Sequence, residues 1–479
     1  MSLRVLLICP GDIIDESKEF FSLHKSLKKL RSLPSLGLSS LSAILKAENH
    51  KCLIVDAFAE QLTKEQLLSR VEKFAPDFIG VTSTTPFYKM ASLTCRCLKE
   101  RFPNIPVILG GPHVTVMKKD ALLEPSVDYG VIGEGEQTLL ALLTALAKKE
   151  PIDDIPNVIH RVDGQLLMNE IVDQRLDINE LPIPDRSDLP LDSYYDSLSL
   201  HGKAMSMMTT RGCPFRCLFC EADVRGGRYR AREVSLVIDE MKHIVNELGF
   251  PEIVIYDDTF TVNRKRTVAI CEAILKDGLK FSWDCRTRVD CVDEELLALM
   301  KRAGCHRISF GVEAASERVR EVLRKDITDE QIRNAFLWSR CVGIRTIGYF
   351  MLGTPTETKE EIEQTIKYAI ELSPDIAHFC ITAPYPGTDL YRMGVSMGVI
   401  PDDFWQCYVG LADEEHMDIP YFTSKGLSRQ DLDKLLKKAY RDFYFRLGYI
   451  GERLTVIRSL GELWWHIKLA KELACLALL

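Results

Sequence analysis

Short apolar runs alternate with amphipathic segments along the first 150 residues. The apolar runs lie at 3–9, 52–55, 78–82, 106–109 and 129–132, and the amphipathic segments lie near 37–48, 64–74, 88–101, 116–124 and 136–149. A continuous apolar run is typical of a strand that is buried on both faces, and parallel strands need a crossover connection such as a helix. These five βα units therefore predict a doubly wound α/β sheet over residues 1–150.

Small and polar residues follow the predicted strands of this region. They are Asp56, the run Ser83–Thr85, the run Gly110–His113 and the run Gly133–Glu136. Ligands bind at the carboxyl ends of strands in such sheets, and glycine lets a backbone approach a bulky ligand closely. The residues predict either a ligand site or ordinary βα turns. A dinucleotide is disfavoured because no G-x-G-x-x-G follows the first strand.

The remainder of the chain divides into three parts. Pro, Asp and Tyr accumulate over 151–203, which we expect to be an ordered linker with a small hairpin around Asp163-Gly164. Six further strand candidates follow over 204–390, at MSMMTT, 252–258, 281–286, 306–313, 345–353 and 377–387. Residues 391–479 are predicted to be helical, with long helices near 428–447 and 451–479.

Composition narrows the class of protein. A length of 479 residues predicts two or three domains, and a net charge of −8 disfavours a surface that coats nucleic acid. No apolar run is long enough to span a bilayer, and the amino terminus lacks a secretory pattern. We therefore expect a cytoplasmic protein whose 15 cysteines are thiols or metal ligands and not disulfides.

Three cysteines carry the strongest chemical signal. Cys213, Cys217 and Cys220 have the spacing C-x3-C-x2-C, and no fourth cysteine lies nearby. Three thiolates on one short loop suit an iron–sulfur cube with one open iron. A structural zinc site would need a fourth Cys or His at comparable spacing, and His201 and His243 lie at no familiar offset. Zinc, or a coincidental pattern, is the alternative.

This loop resembles that of the radical S-adenosylmethionine (radical SAM) superfamily, because aromatic Phe219 precedes the last cysteine and a strand precedes the loop. The phrases FGVEAASERV, GYFMLGTPTET, APYPGTDLY, GGPHVT and GEGEQT resemble one subgroup, which joins a cobalamin-binding domain to a radical SAM domain. The resemblance covers roughly residues 1–400. The subgroup includes the anaerobic magnesium-protoporphyrin monomethyl ester cyclase, hopanoid-modifying enzymes and radical methyltransferases.

The resemblance implies a Rossmann-like cobalamin-binding domain, a partial (β/α)6 radical SAM barrel and a helical C-terminal tail. It also implies a [4Fe-4S] cluster, S-adenosylmethionine and cobalamin as cofactors. By the same resemblance, Cys213, Cys217 and Cys220 hold the cluster and Phe219 supports the adenine of S-adenosylmethionine.

Charged residues at the ends of the barrel strands have implied roles as well. Asp257 and Asp258 stand where the family contacts the amino group of S-adenosylmethionine, although they depart from the family's glycine-glycine-glutamate form. Glu313 is placed to accept bonds from the ribose hydroxyls, and Arg286 and Arg288 are candidates for binding the methionine carboxylate. A salt bridge at the barrel mouth is the alternative for each of them.

The cobalamin assignment rests on part of a pattern. Many cobalamin-binding domains carry D-x-H-x-x-G after the first strand, but this chain has CPGDIIDESKEF there, with Asp12 and no histidine. The resembled subgroup commonly lacks that cobalt ligand too. Ser83, Thr85, Gly110 and Gly111 match the rest of the pattern, which serves the nucleotide tail. The alternative is a degenerate domain that is kept only as a docking surface.

The expected activity is cleavage of S-adenosylmethionine to a 5′-deoxyadenosyl radical, followed by methylation of an unactivated carbon of a small-molecule or lipid-like substrate. The alternatives are cobalamin-assisted oxidation, cyclisation or rearrangement, and a non-catalytic cobalamin or S-adenosylmethionine sensor. An electron donor such as flavodoxin or ferredoxin is implied, and a nucleic-acid partner is not. The helix predicted at 451–479 either lies at a membrane surface or packs over the barrel or at a dimer seam.

Overall fold

The computed structural model describes residues 2–11, 31–173, 176–221, 228–410, 422 and 426–456. The connection from Gly11 to about Pro34 is unusually long, which predicts that it folds over the sheet edge or the neighbouring domain. Most of this connection, and most of the helix predicted at 451–479, lie outside the described residues. The sequence interpretation of Asp12 also falls outside them.

The first sheet has seven strands. In spatial order they are Lys51–Asp56, Arg4–Cys9, Phe78–Thr82, Val107–Gly110, Tyr129–Val131, Val158–Val162 and Gln165–Met168. The first five are parallel, as the apolar runs predict. Alternate residues of the strand Arg4–Cys9 pack into two separate cores, with Val5 and Leu7 in one and Leu6 and Ile8 in the other. Both faces of the sheet are therefore covered, which explains why its strands are apolar throughout.

The predicted hairpin is present, but it belongs to the first sheet and not to the linker. Val162 pairs with Gln165, and the two turn residues Asp163 and Gly164 both have positive φ, at 50° and 81°. That is the backbone of a tight two-residue hairpin turn. The strand Val158–Val162 runs antiparallel to Tyr129–Val131, whose edge would otherwise be unpaired. The first sheet therefore extends beyond residue 150, to Met168.

The second sheet has six strands, all parallel and in sequence order. They are Met205–Met207, Glu252–Ile255, Ser282–Thr287, Cys305–Glu313, Arg345–Leu352 and Ile376–Ile381. Phe310 packs on the helix residue Phe336, and Phe350 stacks on Phe379. These aromatic residues face the outer helices, so the residues next to them along each strand face the inside of the partial barrel.

The α-helices are Leu36–Ala47, Ala57–Glu60, Lys64–Phe74, Tyr88–Arg101, Pro112–Met117, Gly135–Lys148, Val234–Lys242, Arg264–Lys276, Glu294–Arg302, Glu317–Val322, Asp329–Val342, Lys359–Leu372, Asp389–Ser396, Phe404–Gly410, Arg429–Tyr444 and Leu447–Val456. The interpretation of the amphipathic segment at 116–124 as a single helix is wrong. The helix there ends at Met117, and a 3-10 turn follows over Lys118–Leu122. Lys118 has a φ of 53°, which interrupts the helix.

The C-terminal helix Arg429–Tyr444 closes the barrel beside its last strand. Tyr440 Oη donates to the carbonyl of Phe379 over 2.9 Å, and Tyr444 Oη donates to that of Ala377 over 2.8 Å. In the part of the chain that the structure describes, capping boxes fix the starts of four helices, at Thr63, Thr328, Thr358 and Ser428. Among the described residues, no helix combines the length and the apolar character that a bilayer crossing requires.

Candidate active site

A cavity of about 680 Å³ lies between the two sheets. The first domain contributes the carboxyl ends of its strands, and the barrel contributes the ends of its first two strands and the loop before the cysteine triplet. The lining residues include Cys9, Thr82, Thr84, Gly110, Gly111, Gly133, Glu134, Glu136, Met208, Thr210, Arg211, Gly212, Tyr256 and Asp258. Its volume suits a bulky organic ligand.

Glycines form one wall of the cavity. Gly111 has a φ of 97°, and a Cβ there would lie 2.8 Å from the carbonyl oxygen of Ser83. Only glycine therefore fits at this position. A Cβ on neighbouring Gly110 would meet nothing closer than 3.9 Å, so the backbone there borders open space. The two glycines predicted from the sequence thus both lie at the cavity, for different physical reasons.

The hydroxyl pair predicted from the sequence does not line the cavity. Ser83 is buried and its Oγ lies 3.5 Å from the carbonyl oxygen of Thr84, and Thr85 Oγ1 lies 3.1 Å from His113 Nδ1. Thr82 and Thr84 line the cavity instead. Successive side chains of an extended segment point to opposite faces, so a displacement by one residue exchanges the two sets.

Two hydroxyls of the lining fit a ligand with a polar periphery. Thr84 Oγ1 and Thr210 Oγ1 are buried and have no hydrogen-bond partner among the described residues. Buried hydroxyls are normally satisfied, so these two atoms point to a missing polar partner. The cavity combines these two hydroxyls with a glycine wall and a largely apolar lining. Its size and mixed polarity fit cobalamin.

His113 does not supply a charged group to this cavity. It is fully buried, its ring centroid lies 4.3 Å from that of Tyr88, and its Nδ1 is shared with Thr85. Burial lowers the pKa of His113 to about 3, so the ring is neutral at physiological pH. From the sequence, His113 could either face cobalt or satisfy a local backbone bond, and in the structure its Nδ1 contacts the hydroxyl of Thr85 instead.

An ion-pair network joins the two domains across the cavity. Arg211 Nη1 lies 3.2 Å from Glu134 Oε2, and Arg211 Nη2 lies 2.5 Å from Glu136 Oε1. Arg230 also pairs with Glu134, and Ser40 Oγ donates to Glu136 over 3.0 Å. Although burial raises the pKa of Glu136, Arg211 holds it below its ordinary value. The two glutamates come from the glycine loop GEGE of the first domain.

Sequence reasoning missed the role of this network. Its signal is present in the sequence, as two acidic residues in a glycine loop and an arginine two residues before Cys213. A sequence does not say which acid meets which base, because the pairing joins residues more than seventy positions apart.

The three cysteines lie on the loop that follows the first barrel strand. The amide of Cys220 donates to the carbonyl of Cys217 over 3.0 Å, which bends the loop, and Cys213 Sγ lies 3.6 Å from Thr259 Oγ1. Arg288 Nη1 donates to Cys217 Sγ over 3.8 Å. Burial raises the pKa of Cys217, while Lys325 and Arg288 lower it. Two cations therefore stand beside a thiol that has to ionise to bind a metal.

Phe219 and Glu313 lie next to this loop. Phe219 packs against Ala314, Val319 and Leu323. Glu313 Oε1 accepts a bond from buried Lys325 Nζ at 2.8 Å, and its φ is 69° where the strand bulges against its neighbour. Backbone strain of this kind is held by the surrounding structure and concentrates at functional sites.

The two predicted aspartates lie in different environments. Asp257 is fully buried, and its Oδ1 accepts bonds from the amides of Thr209 and Thr210 at 2.6 and 3.1 Å. Its carboxylate therefore holds the segment that precedes Arg211 and faces away from the cavity. Asp258 is exposed and lines the cavity. Side chains at 257 and 258 point to opposite faces because they continue a strand.

The two predicted arginines also lie in different environments. Arg288 is buried beside the cysteine loop, where it pairs with Asp290, donates to the carbonyl of Lys325 over 2.6 Å and lies 3.9 Å from the ring centroid of Phe215. Arg286 lies inside the barrel, 4.1 Å from the ring centroid of Tyr256. The salt-bridge alternative weighed in the sequence analysis thus describes Arg288 and not Arg286.

A second acidic group lies at the opposite end of the barrel. Glu252, Asp284 and His306 are all buried, with ligand atoms within 4.8 Å of one another. Arg307 pairs with Asp284, and Arg345 Nη2 lies 2.9 Å from His306 Nδ1. These arginines already neutralise and occupy the group, which makes it a structural network and not a metal centre.

The comparisons with known proteins agree with this geometry. Residues 207–369 match the radical SAM superfamily, and residues 31–143 match the B12 binding domain. An uncharacterized methyltransferase of Pyrococcus horikoshii is 36% identical over 415 residues, which are 86% of this chain and 88% of that protein. The anaerobic magnesium-protoporphyrin IX monomethyl ester cyclase of Rubrivivax gelatinosus is 29% identical over 432 residues, 88% of this chain and 76% of that protein.

Two solved structures share the fold of both domains. The cobalamin-dependent S-adenosylmethionine radical enzyme OxsB, with aqua-cobalamin and S-adenosylmethionine bound, has a TM-score of 0.75 at 18% identity, over 100% of this chain and 72% of that chain. The radical S-adenosylmethionine methyltransferase TsrM from Kitasatospora setae has a TM-score of 0.69 at 20% identity, over 83% and 75%.

Fold, cysteine loop and cavity together define a radical SAM enzyme with a cobalamin domain. The chain belongs to the radical SAM superfamily, in the subgroup that carries an amino-terminal B12-binding domain. This membership confirms the resemblance, the α/β fold class and the prediction of an enzyme. It also confirms the predicted cofactors, a [4Fe-4S] cluster, S-adenosylmethionine and cobalamin.

Proposed function

We propose that this enzyme methylates an unactivated carbon of a small-molecule substrate. Its [4Fe-4S] cluster, with S-adenosylmethionine, supplies a 5′-deoxyadenosyl radical, and its cobalamin supplies a methyl group. Methyl transfer is favoured over cyclisation by the 36% identity to a protein named as a methyltransferase, which exceeds the 29% identity to the cyclase of Rubrivivax gelatinosus.

The observation that carries the proposal is the cavity shared by the two domains. Thr210, Arg211 and Gly212 line it from the barrel side, and the next residue along the chain is Cys213. The glycine loops of the first domain line the other side. A cobalamin that rests on the glycine wall would therefore lie next to the cluster loop, with the barrel mouth between the two cofactors.

We assign roles in binding S-adenosylmethionine to residues at the barrel mouth. Cys213, Cys217 and Cys220 would hold the cluster, and Phe219 offers an aromatic face for the adenine. Glu313 has one carboxylate oxygen held by Lys325, so the other is available to ribose hydroxyls. Asp258 is the aspartate that is accessible to an ammonium group, and Asp257 acts as the support of the loop.

Residues of the first domain would bind cobalamin. Gly110 and Gly111 would let the corrin or its tail approach the backbone, and Thr84 and Thr210 would bond polar groups of its periphery. Ser83 and Thr85 would act through the geometry of this turn, because the carbonyl of Ser83 accepts the amide of His113 at 3.0 Å. A flavodoxin or ferredoxin would deliver the electrons, and the helix predicted over 451–479 would supply any membrane-surface contact.

The test uses the anaerobically purified holoenzyme with S-adenosylmethionine that carries a deuterated methyl group. After reduction, a methyltransferase forms S-adenosylhomocysteine in proportion to bound cobalamin even before any substrate is added. A cyclase or another radical oxidase forms 5′-deoxyadenosine without S-adenosylhomocysteine. Production of 5′-deoxyadenosine alone, by protein with full cobalamin content, would overturn methyl transfer and favour the cyclase relatives.

A further inference from the structure

One level of the barrel interior is open while the outer face at the same level is closed. The residues on the inner side, here called the inner ring, are all partly or fully exposed, and they are Tyr256, Arg286, Gly311, Tyr349, His378 and Cys380. Their neighbours on the outer side are all buried, and they are Ile255, Cys285, Phe310, Phe350 and Phe379. The inner ring therefore borders a space inside the barrel that the side chains do not fill.

Strand register places these residues at neighbouring heights. Tyr349 lies opposite Gly311 on one side and opposite His378 on the other. The ring centroids of Tyr349 and His378 lie 5.4 Å apart. A Cβ on Gly311 would collide with the carboxylate of Glu313 and the ammonium of Lys325, so those two groups, and not open space, face this glycine. An aromatic wall inside a barrel is a feature of a small-molecule site.

Arg286 is the unusual member of the inner ring. Its guanidinium lies over the ring of Tyr256, with 4.1 Å to the centroid, and among the residues that the structure describes no carboxylate forms an ion pair with it. The negative charge of Asp284 acts on Arg286, but that carboxylate is already paired with Arg307. Arg31, on the same tyrosine at 5.2 Å, pairs with Asp196 at 3.2 Å. A partly buried cation costs free energy unless an anion accompanies it.

From these observations we infer that Arg286 binds a carboxylate of the substrate inside the barrel, so that the substrate class is carboxylate-bearing small molecules. This inference rests on the proposed function only in placing the substrate in the barrel, and it holds for methyl transfer and for cyclisation alike. A guanidinium offers a planar fork of donors that fits a carboxylate with two parallel bonds. Tyr256 holds that fork in place by stacking on its face.

The height of Arg286 separates it from the expected contact with S-adenosylmethionine. Arg288, two residues further along the chain and just beyond the end of the strand at Thr287, lies within 3.8 Å of Cys217 and is paired with Asp290. Two residues of a strand span roughly 6.6 Å. Arg286 therefore lies roughly 6.6 Å deeper in the barrel than Arg288, on the side where a substrate would lie.

The experiment uses the holoenzyme with reconstituted cluster and bound S-adenosylmethionine, and it needs no turnover. Equilibrium dialysis measures the binding of phenylacetate and of phenylacetamide, which have nearly the same shape and differ in charge. We expect the wild-type enzyme to bind the carboxylate about ten-fold more tightly than the amide, and R286Q to bind the two probes equally. R333Q is the matched control, because Arg333 also stacks on a tyrosine, at 4.9 Å from the Tyr368 centroid, but on the outer surface.

Three results would overturn the inference. One is a wild-type enzyme that does not prefer phenylacetate over phenylacetamide, and another is an R286Q variant that keeps the preference. The third is an R286Q variant that loses the preference but also binds S-adenosylmethionine ten-fold or more weakly, which would assign the guanidinium to the methionine carboxylate. Failure of methyl transfer appears separately, as the absence of S-adenosylhomocysteine in turnover.

Discussion

Arg211 Nη1 lies 3.2 Å from Glu134 Oε2, and this contact links the loop that precedes the cluster cysteines to the glycine loop of the cobalamin domain. Both residues line the shared cavity. A single guanidinium thus sets the distance between the two halves of the active site. The pair is a positioning device, since neither side chain has to touch a reacting atom.

Replacing Arg211 by Met should weaken both the fold and the retention of cobalamin. Glu136 is almost completely buried, so loss of its cationic partner would cost about 3 kcal/mol of the free energy of unfolding. Urea unfolding of the apoprotein measures the first effect, and cobalamin content after gel filtration measures the second. R333Q removes an exposed pair with Asp329 and should cost less than about 1 kcal/mol. Equal losses in the two variants would contradict the positioning role.

The glycines at 110 and 111 should respond differently to alanine. G111A forces a side chain into a backbone region that only glycine favours and brings its Cβ against Ser83, so the apoprotein should lose about 1–3 kcal/mol of stability. G110A meets open space and should fold like the wild type, while it binds cobalamin more weakly because its methyl group enters the cavity. Thermal unfolding of the apoproteins and cobalamin titration distinguish the two. A G110A protein with wild-type cobalamin affinity would show that the ligand does not approach this wall.

Replacing Cys217 by Ala should remove the cluster and leave the rest of the site. Iron content and the charge-transfer absorbance of the cluster should fall to background, and 5′-deoxyadenosine should no longer form. Cobalamin binding should persist, since the glycine wall belongs to the other domain. C341A is the control, because that exposed thiol lies on the outer helix Asp329–Val342. Reductive cleavage that continues in C217A would contradict the assigned cluster.

The structural network at the far end of the barrel predicts a pH dependence of stability. Arg345 can only donate to His306 Nδ1, so the ring is neutral and its Nε2 donates to Glu252 Oε1 over 2.9 Å. Burial lowers the pKa of His306, and although burial raises that of Glu252, the bonds from His306 and Ser199 lower it to about 2.

Both groups titrate below their unfolded values, which sets the sign of the effect. The contribution of His306 is complete above about pH 6.5 and is lost as the pH falls, and that of Glu252 is complete above about pH 4.3 and is lost toward pH 2. The free energy of unfolding should therefore decrease from pH 7 to pH 5. H306Q should make this decrease smaller, and the part that remains comes from His113 and His378, whose pKa values burial also lowers. H243Q, on the surface, should retain the full decrease. An unchanged slope in H306Q would contradict the argument.

The sequence determined the order of elements in both sheets. Apolar runs that are buried on both faces, together with βα alternation, leave few possible arrangements of the strands and helices. The spacing of Cys213, Cys217 and Cys220 indicates the metal chemistry of this loop without any tertiary information. The hairpin at Asp163-Gly164 was predictable as well, because turn residues with positive φ act locally. These features depend on neighbours in the chain.

Only the tertiary structure decided which side chains reach the site. Alternation along an extended segment gave the cavity Thr84 in place of Ser83 and Thr85, and Asp258 in place of Asp257. Height along the strand, and not alternation, separates Arg288, which is paired beside the cluster loop, from Arg286, which forms no ion pair among the described residues. Pairings such as Arg211 with Glu134 and Lys325 with Glu313 join separate elements. Local sequence determines the type and order of the elements, whereas the burial and charge of a side chain depend on what the folded chain places opposite it.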